Sequence, residues 1–272
     1  MRFLAAFVLF ASLGSASATT PPGQGFESYV ATFSSVDGLS TDSEKLQQLV
    51  RKLSDKQIRS GKKAAFVDYL FTKTRQQFLR NFTDYATFTE TINTGTYNCL
   101  TGTALYALLL SHFEIPYHVI ETNYHIFLIA ETENGRVLLE ATDAENGFVQ
   151  GESNIDDRIK EYRQSPPLKH DRSKTYYQYE ADLYKEVSLD ELTGLLYYNR
   201  AIVAYNQHDL PGSIENLSRS VERYQSARTS EFASILQITV AGSDLDNDVK
   251  RQYLREIQRL RTAAANLSAR GN

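Results

Sequence analysis

The chain of 272 residues is poor in sulfur and lacks tryptophan: it contains one cysteine and one methionine. A single cysteine excludes an internal disulfide bond. There is no cysteine pair and no His-Glu-x-x-His sequence, and serine-hydrolase and phosphate-loop motifs are missing as well. We therefore expect neither a metal nor another cofactor. The net charge is −4, with basic and acidic residues interspersed, which argues against a nucleic-acid partner.

Runs of apolar residues are short. The run at the N-terminus, Phe3 to Leu13, follows the basic Arg2 and precedes Ala-Ser-Ala at 16–18. This order is typical of a cleaved secretory signal peptide, and the run is shorter than the roughly 20 residues of a membrane-spanning helix. We predict that residues 1–18 are a signal peptide, that the protein is periplasmic or extracellular, and that no membrane span remains after cleavage.

Helical patterns come next along the chain. A capping box at Thr41 to Glu44 predicts the start of a helix, and apolar residues at helical spacing predict a second helix over about 62–82. Residues 85–93 are rich in threonine and aromatics, which suits an extended segment. Leu100 to Phe113 is apolar nearly all round and predicts a buried central helix.

Strand-like segments follow the central helix, at Tyr117, at 125–130 and from Arg136. Asn134-Gly135 between the last two is a strong hairpin signal. A central helix followed by an antiparallel meander predicts an α+β domain over residues 19–150, with helices at its N-terminal end.

The last third of the chain has a sequence pattern that predicts helices after a connecting segment. Residues 151–187 are polar and irregular, with room for one strand, and a capping box at Ser188 to Glu191 begins a helical region over 188–272. Residues 194–228 resemble a tetratricopeptide repeat, and an ordinary helical hairpin is the alternative. The resemblance implies that this region has a protein partner.

The lone cysteine, Cys99, stands just before the central helix in GTYNCLTGTALYALLL. Unpaired amides and the helix dipole at such a position stabilise a thiolate. A nucleophilic cysteine also needs a base and a third group that holds the base. His125 lies downstream at the start of a predicted strand, and Glu140 and Asp143 follow near the end of the next strand.

The ordered segments NCLTGTALYALLL, NYHIFLIA and NGRVLLEATD resemble the transglutaminase-like superfamily of papain-related cysteine enzymes. The resemblance implies that Cys99 is the nucleophile, that its backbone amide stabilises the oxyanion, and that His125 is the base. Where the family has aspartate, proline and threonine, this chain has Glu140-Ala-Thr142, so Glu140 is the expected third member and Asp143 the alternative. The tryptophans that many members carry are absent here.

The expected hairpin register gives a second argument about the carboxylate. With a two-residue turn at Asn134-Gly135, Ala144 lies opposite His125, Glu140 shares the face of His125, and Asp143 points to the other face. In that register Glu140 reaches the histidine ring only if the loop is longer or bulged.

Two functions follow from the residues and the resemblance together. The first is an exported cysteine-dependent acyl-transfer enzyme acting on a peptide or another amide, of peptidase, deamidase or transglutaminase type, with Cys99, His125 and Glu140 as its triad. The alternative is a weakly active or inactive scaffold that binds a protein partner through its helical region.

Overall fold

The computed structural model describes residues 25–164 and 183–268. The predicted signal peptide, 1–18, lies outside the described residues and stays a prediction. In chain order, the helices are α1 (Phe26–Ser35), α2 (Ser43–Ser60), α3 (Lys63–Phe78), α4 (Phe88–Asn93), α5 (Cys99–His112), α6 (Glu152–Gln164), α7 (Leu189–Asn206), α8 (Leu210–Val221), α9 (Ala227–Gly242) and α10 (Asn247–Ser268). The strands are β1 (Asn81–Phe82), β2 (Thr96–Tyr97), β3 (Tyr117–Thr122), β4 (Ile126–Thr132), β5 (Gly135–Leu139), β6 (Phe148–Gln150) and β7 (Tyr184–Val187).

The main sheet is antiparallel with the order β6-β5-β4-β3-β7, which confirms the predicted mixture of helices and an antiparallel sheet. Side chains alternate between its two faces. Leu128 and Leu139 point into a large core that also contains α5, whereas Phe127 and Leu138 point to the opposite face, where Ile155 of α6 covers them. The sheet is therefore covered by helices on both faces.

Helix α5 is the centre of the large core, as its all-round apolar sequence predicts. Its residues from Leu100 to Leu110 are all buried. Asn98 caps its N-terminus: the side-chain oxygen accepts a hydrogen bond from the Thr101 amide at 2.9 Å, and the Thr101 hydroxyl accepts one from the Asn98 amide at 3.1 Å. This reciprocal capping box fixes the residue at which α5 begins.

The hairpin between β4 and β5 corrects the expected register. Thr132 pairs with Gly135, so the turn consists of Glu133 and Asn134, one residue earlier than predicted. Gly135 begins β5 with a φ of 101°, a conformation that glycine adopts without strain. The shift by one residue in the turn moves β5 by two residues along β4, which brings Glu140 closer to the level of His125.

Two segments differ from the expected secondary structure. Residues 88–93 form α4 instead of continuing an extended segment, because Thr87 and Glu90 make a capping box that outweighs the strand propensity of the threonines. The segment 151–187 contains helix α6, which was not expected, and strand β7, which takes the place of the one expected strand and adds to the edge of the sheet beside β3; its residues 165–182 lie outside the described residues.

The C-terminal helices share one core with the sheet and build a second one. The N-terminal half of α7 packs in the large core, with Leu189, Leu192 and Leu196 buried there. Its C-terminal half joins α8, α9 and α10 around Phe232. The helical region that begins at residue 188 therefore shares the large core with the sheet. Within the described residues, no helix combines the length and the apolar character that a bilayer span requires.

Candidate active site

Cys99 is the first residue of α5, and its side chain is partly exposed. The amides of a helix's first turn have no acceptor within the helix. The side-chain oxygen of Asn98 accepts a hydrogen bond from the Thr101 backbone amide. The side-chain nitrogen Nδ2 of Asn98 donates to the carbonyls of Asp84 and Ala86 at 3.1 and 3.2 Å. The start of the helix is thereby tied to the preceding loop, which fixes the place of the thiol.

His125 stands immediately before β4, at the end of the tight turn that links β3 to β4. Thr122 closes this turn. Its amide donates to the His125 carbonyl at 2.7 Å, and its hydroxyl lies 3.2 Å from the His125 amide and accepts its hydrogen bond. The backbone of His125 is thus held on both its donor and its acceptor side.

Glu140 follows β5 directly, and its carboxylate is 2% exposed. One oxygen, Oε2, is hydrogen-bonded to Nε2 of His125. The other, Oε1, accepts hydrogen bonds from the Thr142 amide at 2.7 Å and from its hydroxyl at 2.6 Å. Both oxygens are therefore occupied, which fixes the orientation of the carboxylate and of the ring that it holds.

The thiol of Cys99 lies beside the His125 ring, close enough to affect its protonation. Since Glu140 occupies Nε2, Nδ1 is the nitrogen left for the thiol. Burial lowers the pKa of His125, but the hydrogen bonds and charges of Cys99 and Glu140 outweigh burial and raise this pKa from 6.5 to about 10. Burial likewise raises the pKa of Glu140, yet its bonds to His125 and Thr142 bring it below the usual value of 4.5. The arrangement favours imidazolium beside carboxylate at neutral pH.

A close approach between α5 and the end of β5 brings the three side chains together. Gly102, one turn after Cys99, faces Ala141, the residue after Glu140. A Cβ at position 102 would lie 2.7 Å from the Cβ of Ala141, closer than two carbon atoms can pack. Glycine at this position therefore lets the helix that carries the thiol approach the segment that carries the carboxylate.

Asp143, the alternative third member, is turned away from the histidine. Its Oδ2 forms an ion pair with Nη1 of Arg158 at 3.0 Å, and its Oδ1 accepts from the amides of Glu145 and Asn146 at 3.2 and 2.8 Å. These bonds shape the loop after β5. Asp143 therefore acts on the structure of this loop, whereas Glu140 contacts the ring.

Helix α6 contributes two side chains that the sequence analysis missed, Arg158 and Tyr162. The Tyr162 ring covers the His125 ring with centroids 4.6 Å apart, and its hydroxyl accepts a hydrogen bond from Arg158 at 3.3 Å. Burial, and next the charge of Glu140, raise the pKa of Tyr162. Ile155, Ile159 and Tyr162 form an apolar stripe at helical spacing, a signal that could have identified α6.

An open depression lies beside these groups. It is lined by His125 and Glu140, by the loop 142–146 and by Arg158 and Tyr162. In the two stretches that the structure describes, no group of three or more His, Cys, Asp or Glu side chains is placed to hold a metal ion. Of the predicted site residues, His125 and Glu140 line this depression, and Cys99 lies beside the His125 ring.

Comparison of this chain with models of protein families, with curated proteins and with solved structures finds no match.

Proposed function

We propose that this protein is an exported, transglutaminase-like cysteine enzyme that transfers acyl groups from amide bonds, with a tetratricopeptide-like region at its C-terminus. The observation that carries the proposal is the grouping of three side chains at the start of a buried helix: Cys99 lies beside His125, and His125 is hydrogen-bonded to Glu140. A base in contact with the thiol, held by a third group, is what a cysteine nucleophile requires. Each of the three residues alone has a structural explanation, whereas their mutual contacts favour catalysis.

The proposed reaction starts from a Cys99 thiolate beside the His125 imidazolium, a pair in which the thiol proton already resides on the ring. The thiolate then attacks the carbonyl carbon of an amide, and the Cys99 backbone amide donates to the oxyanion that forms. When the carbon–nitrogen bond breaks, His125 returns the proton to the leaving amine, and a thioester with Cys99 remains. Glu140 fixes the ring orientation and stabilises the imidazolium.

The group that resolves the thioester decides the overall reaction. Attack by water releases an acid and makes the protein a peptidase or a deamidase. Attack by an amine forms a new amide and makes it a transglutaminase. In either case the attacking group loses a proton to His125, so the same three residues serve both half-reactions.

The first test is the rate at which iodoacetamide alkylates Cys99 at neutral pH, followed by mass spectrometry. Because the chain has a single cysteine, the mass shift reports this residue alone. We expect the folded protein to react at least 10-fold faster than the same chain unfolded in urea, since activated cysteines have more thiolate at neutral pH. A folded thiol no faster than the unfolded one would contradict an activated nucleophile.

The second test measures chemistry with glutamine-containing peptides. Ammonia release without an added amine would identify a deamidase, and incorporation of a labelled primary amine would identify a transglutaminase. The control is Cys99→Ala, which removes the nucleophile and should abolish both products.

The alternative function is a scaffold that binds a protein partner. The helical region favours it, because the C-terminal half of α7 builds a second core with α8, α9 and α10, and Ile238 on α9 is 74% exposed. An unreactive Cys99 in a folded protein would favour this alternative over the enzyme.

A further inference from the structure

Arg228 lies on α9, in the helical region, yet its guanidinium contacts the turn that carries His125. Its Nη2 donates hydrogen bonds to the carbonyls of Thr122 and Asn123, at 3.1 and 2.6 Å. These two residues and Tyr124 make up the turn that leads into His125. A side chain from the C-terminal helices therefore holds the backbone next to the candidate base.

A buried acid orients Arg228. Nη1 of Arg228 lies 3.0 Å from Oε1 of Glu121, and the side chains are 15% and 2% exposed, respectively. Oε2 of Glu121 accepts a hydrogen bond from the Tyr224 hydroxyl at 2.5 Å. A charged pair this deeply buried is conformationally restricted. The guanidinium therefore presents Nη2 to the turn in a fixed direction.

A third contact holds the same turn from the sheet edge. The amide of Leu183, directly before β7, donates to the side-chain oxygen of Asn123 at 2.6 Å. The turn also has its internal bonds between Thr122 and His125. Arg228 thus completes a set of contacts that restricts the conformation of residues 122–124, which precede His125.

We propose that Arg228 is a positioning residue for His125, so that the helical region forms part of the active-site architecture. This inference rests on the proposed function. Catalytic hydrogen bonds tolerate misplacement poorly, and a shift of about 1 Å in a reacting group can cost about 100-fold in rate. Arg228 itself contacts no reacting atom, and it acts through the carbonyls of residues 122 and 123.

The test separates the ion pair of Arg228 with Glu121 from its hydrogen bonds to the carbonyls of Thr122 and Asn123. Removing Arg228 alone would leave Glu121 buried without its cation, which destabilises proteins strongly. We therefore compare Glu121→Gln with the double variant Glu121→Gln/Arg228→Gln. The single variant keeps the guanidinium beside the two carbonyls, because the amide oxygen of glutamine can still accept a hydrogen bond from Nη1. The double variant removes the guanidinium without leaving a buried carboxylate unpaired.

The readout is the pH profile of Cys99 alkylation by iodoacetamide, together with the His125 titration followed by NMR. We expect Glu121→Gln to stay within about 3-fold of the unmodified protein and the double variant to react at least 10-fold more slowly at pH 7. We also expect a lower His125 titration midpoint in the double variant, because a displaced ring loses its partners. A merely structural arginine would change stability and leave both readouts unmoved.

The matched control is Arg219→Ala, which removes another arginine of the helical region. Arg219 forms an exposed pair with Glu215 at 2.6 Å, on α8. We expect both readouts to remain unchanged in this variant. If the double variant does not fold, as judged by circular dichroism, Arg228→Lys replaces it, with an expected fall of at least 3-fold because one ammonium cannot serve both carbonyls and Glu121 as a planar guanidinium does.

Two results would overturn proposals, and they are distinct. Alkylation in the double variant, or in Arg228→Lys where that replaces it, at the rate of the unmodified protein would reject Arg228 as a positioning residue. A thiol in the unmodified protein no faster than in urea would reject the proposed function itself.

Discussion

Two carboxylates lie near His125, and their surroundings give them different tasks. Glu140 is almost fully buried and has one oxygen on the ring and the other on Thr142. Asp143 is 27% exposed and pairs with Arg158. A carboxylate that fixes the imidazole must touch it, so the contacts favour Glu140 in this role.

This difference predicts the effects of two conservative substitutions. Glu140→Gln keeps the shape of the side chain but removes the charge that stabilises imidazolium, and we expect Cys99 alkylation at pH 7 to fall by roughly 10- to 100-fold. Asp143→Asn, the matched control, should change the rate by less than about 3-fold. Equal losses in both variants would reject Glu140 as the specific partner of His125.

The raised pKa of His125 predicts how stability depends on pH. A base whose pKa is higher in the folded state stabilises the fold fully below its unfolded value, 6.5, and loses this effect as the pH rises through about 10. Between pH 7 and 10 the free energy of unfolding should therefore fall by up to about 4 kcal/mol more than in His125→Gln, at about 1.4 kcal/mol per pH unit. Urea unfolding of both proteins at several pH values measures this difference, and parallel curves would contradict it.

At the level of single elements, α5 was predictable and the placement of its neighbours was not. The residues of α5 are apolar on all sides, and this local pattern suffices to predict a buried helix. The position of the turn, at Glu133 and Asn134, depends on which residue adopts the positive φ. The sequence Asn134-Gly135 is compatible with either register. Local sequence therefore predicted the strands but not their alignment.

Some residues of the candidate site could likewise be predicted from the sequence, and others could not. The order of Cys99, His125 and Glu140 could be read along the chain, because each stands at the boundary of a predicted element. Tyr162 and Arg228 could not be identified, since their contacts with the His125 region join elements distant in sequence. No local pattern in the sequence specifies such contacts.

The packing of α5 against the end of β5 predicts a pair of compensating substitutions. Gly102→Ala places a Cβ against Ala141 and should separate Cys99 from His125, with an expected loss of stability of about 1–3 kcal/mol and slower alkylation. Gly102→Ala/Ala141→Gly restores the space, because one Cβ replaces the other. We expect this double variant to recover the alkylation rate.

Thermal unfolding and alkylation of the three proteins provide the measurement. Alanine also favours the helical conformation over glycine by up to about 1 kcal/mol, which should help the double variant recover stability. A single variant that reacts as fast as the unmodified protein would show that the close approach is not required for the thiol–imidazole contact.

On the scale of the whole molecule, the sheet and the helical region share a core. Val187 on β7 and Leu189, Leu192 and Leu195 on α7 are buried together with α5. A chain that ends after residue 182 would expose the surfaces that these side chains cover. Each buried leucine or valine stabilises a protein by about 1.5–3 kcal/mol. The loss of four, about 6–12 kcal/mol, is comparable to the stability of a typical domain.

We therefore expect the protein shortened after residue 182 to lack a cooperative thermal transition. The control is a chain that ends after residue 246, which removes α10 and its contribution to the second core, Ile257 and Leu260, while leaving the large core whole. This control should be less stable but should still unfold cooperatively. Calorimetry distinguishes the two, and a cooperative transition in the shorter chain would show that residues 25–164 fold on their own.

The turn before His125 also determines when the thiol acquires its partner during synthesis. Asn123 is bound by Leu183 and Arg228, which follow it by 60 and 105 residues. A nascent chain emerges from its N-terminus, and contacts of long sequence separation form late. Cys99, His125 and Glu140 thus leave the ribosome well before the residues that fix the turn. We therefore expect the unfinished chain to carry a cysteine of ordinary reactivity, and the proposed acylating site to form only once the C-terminal helices have been made.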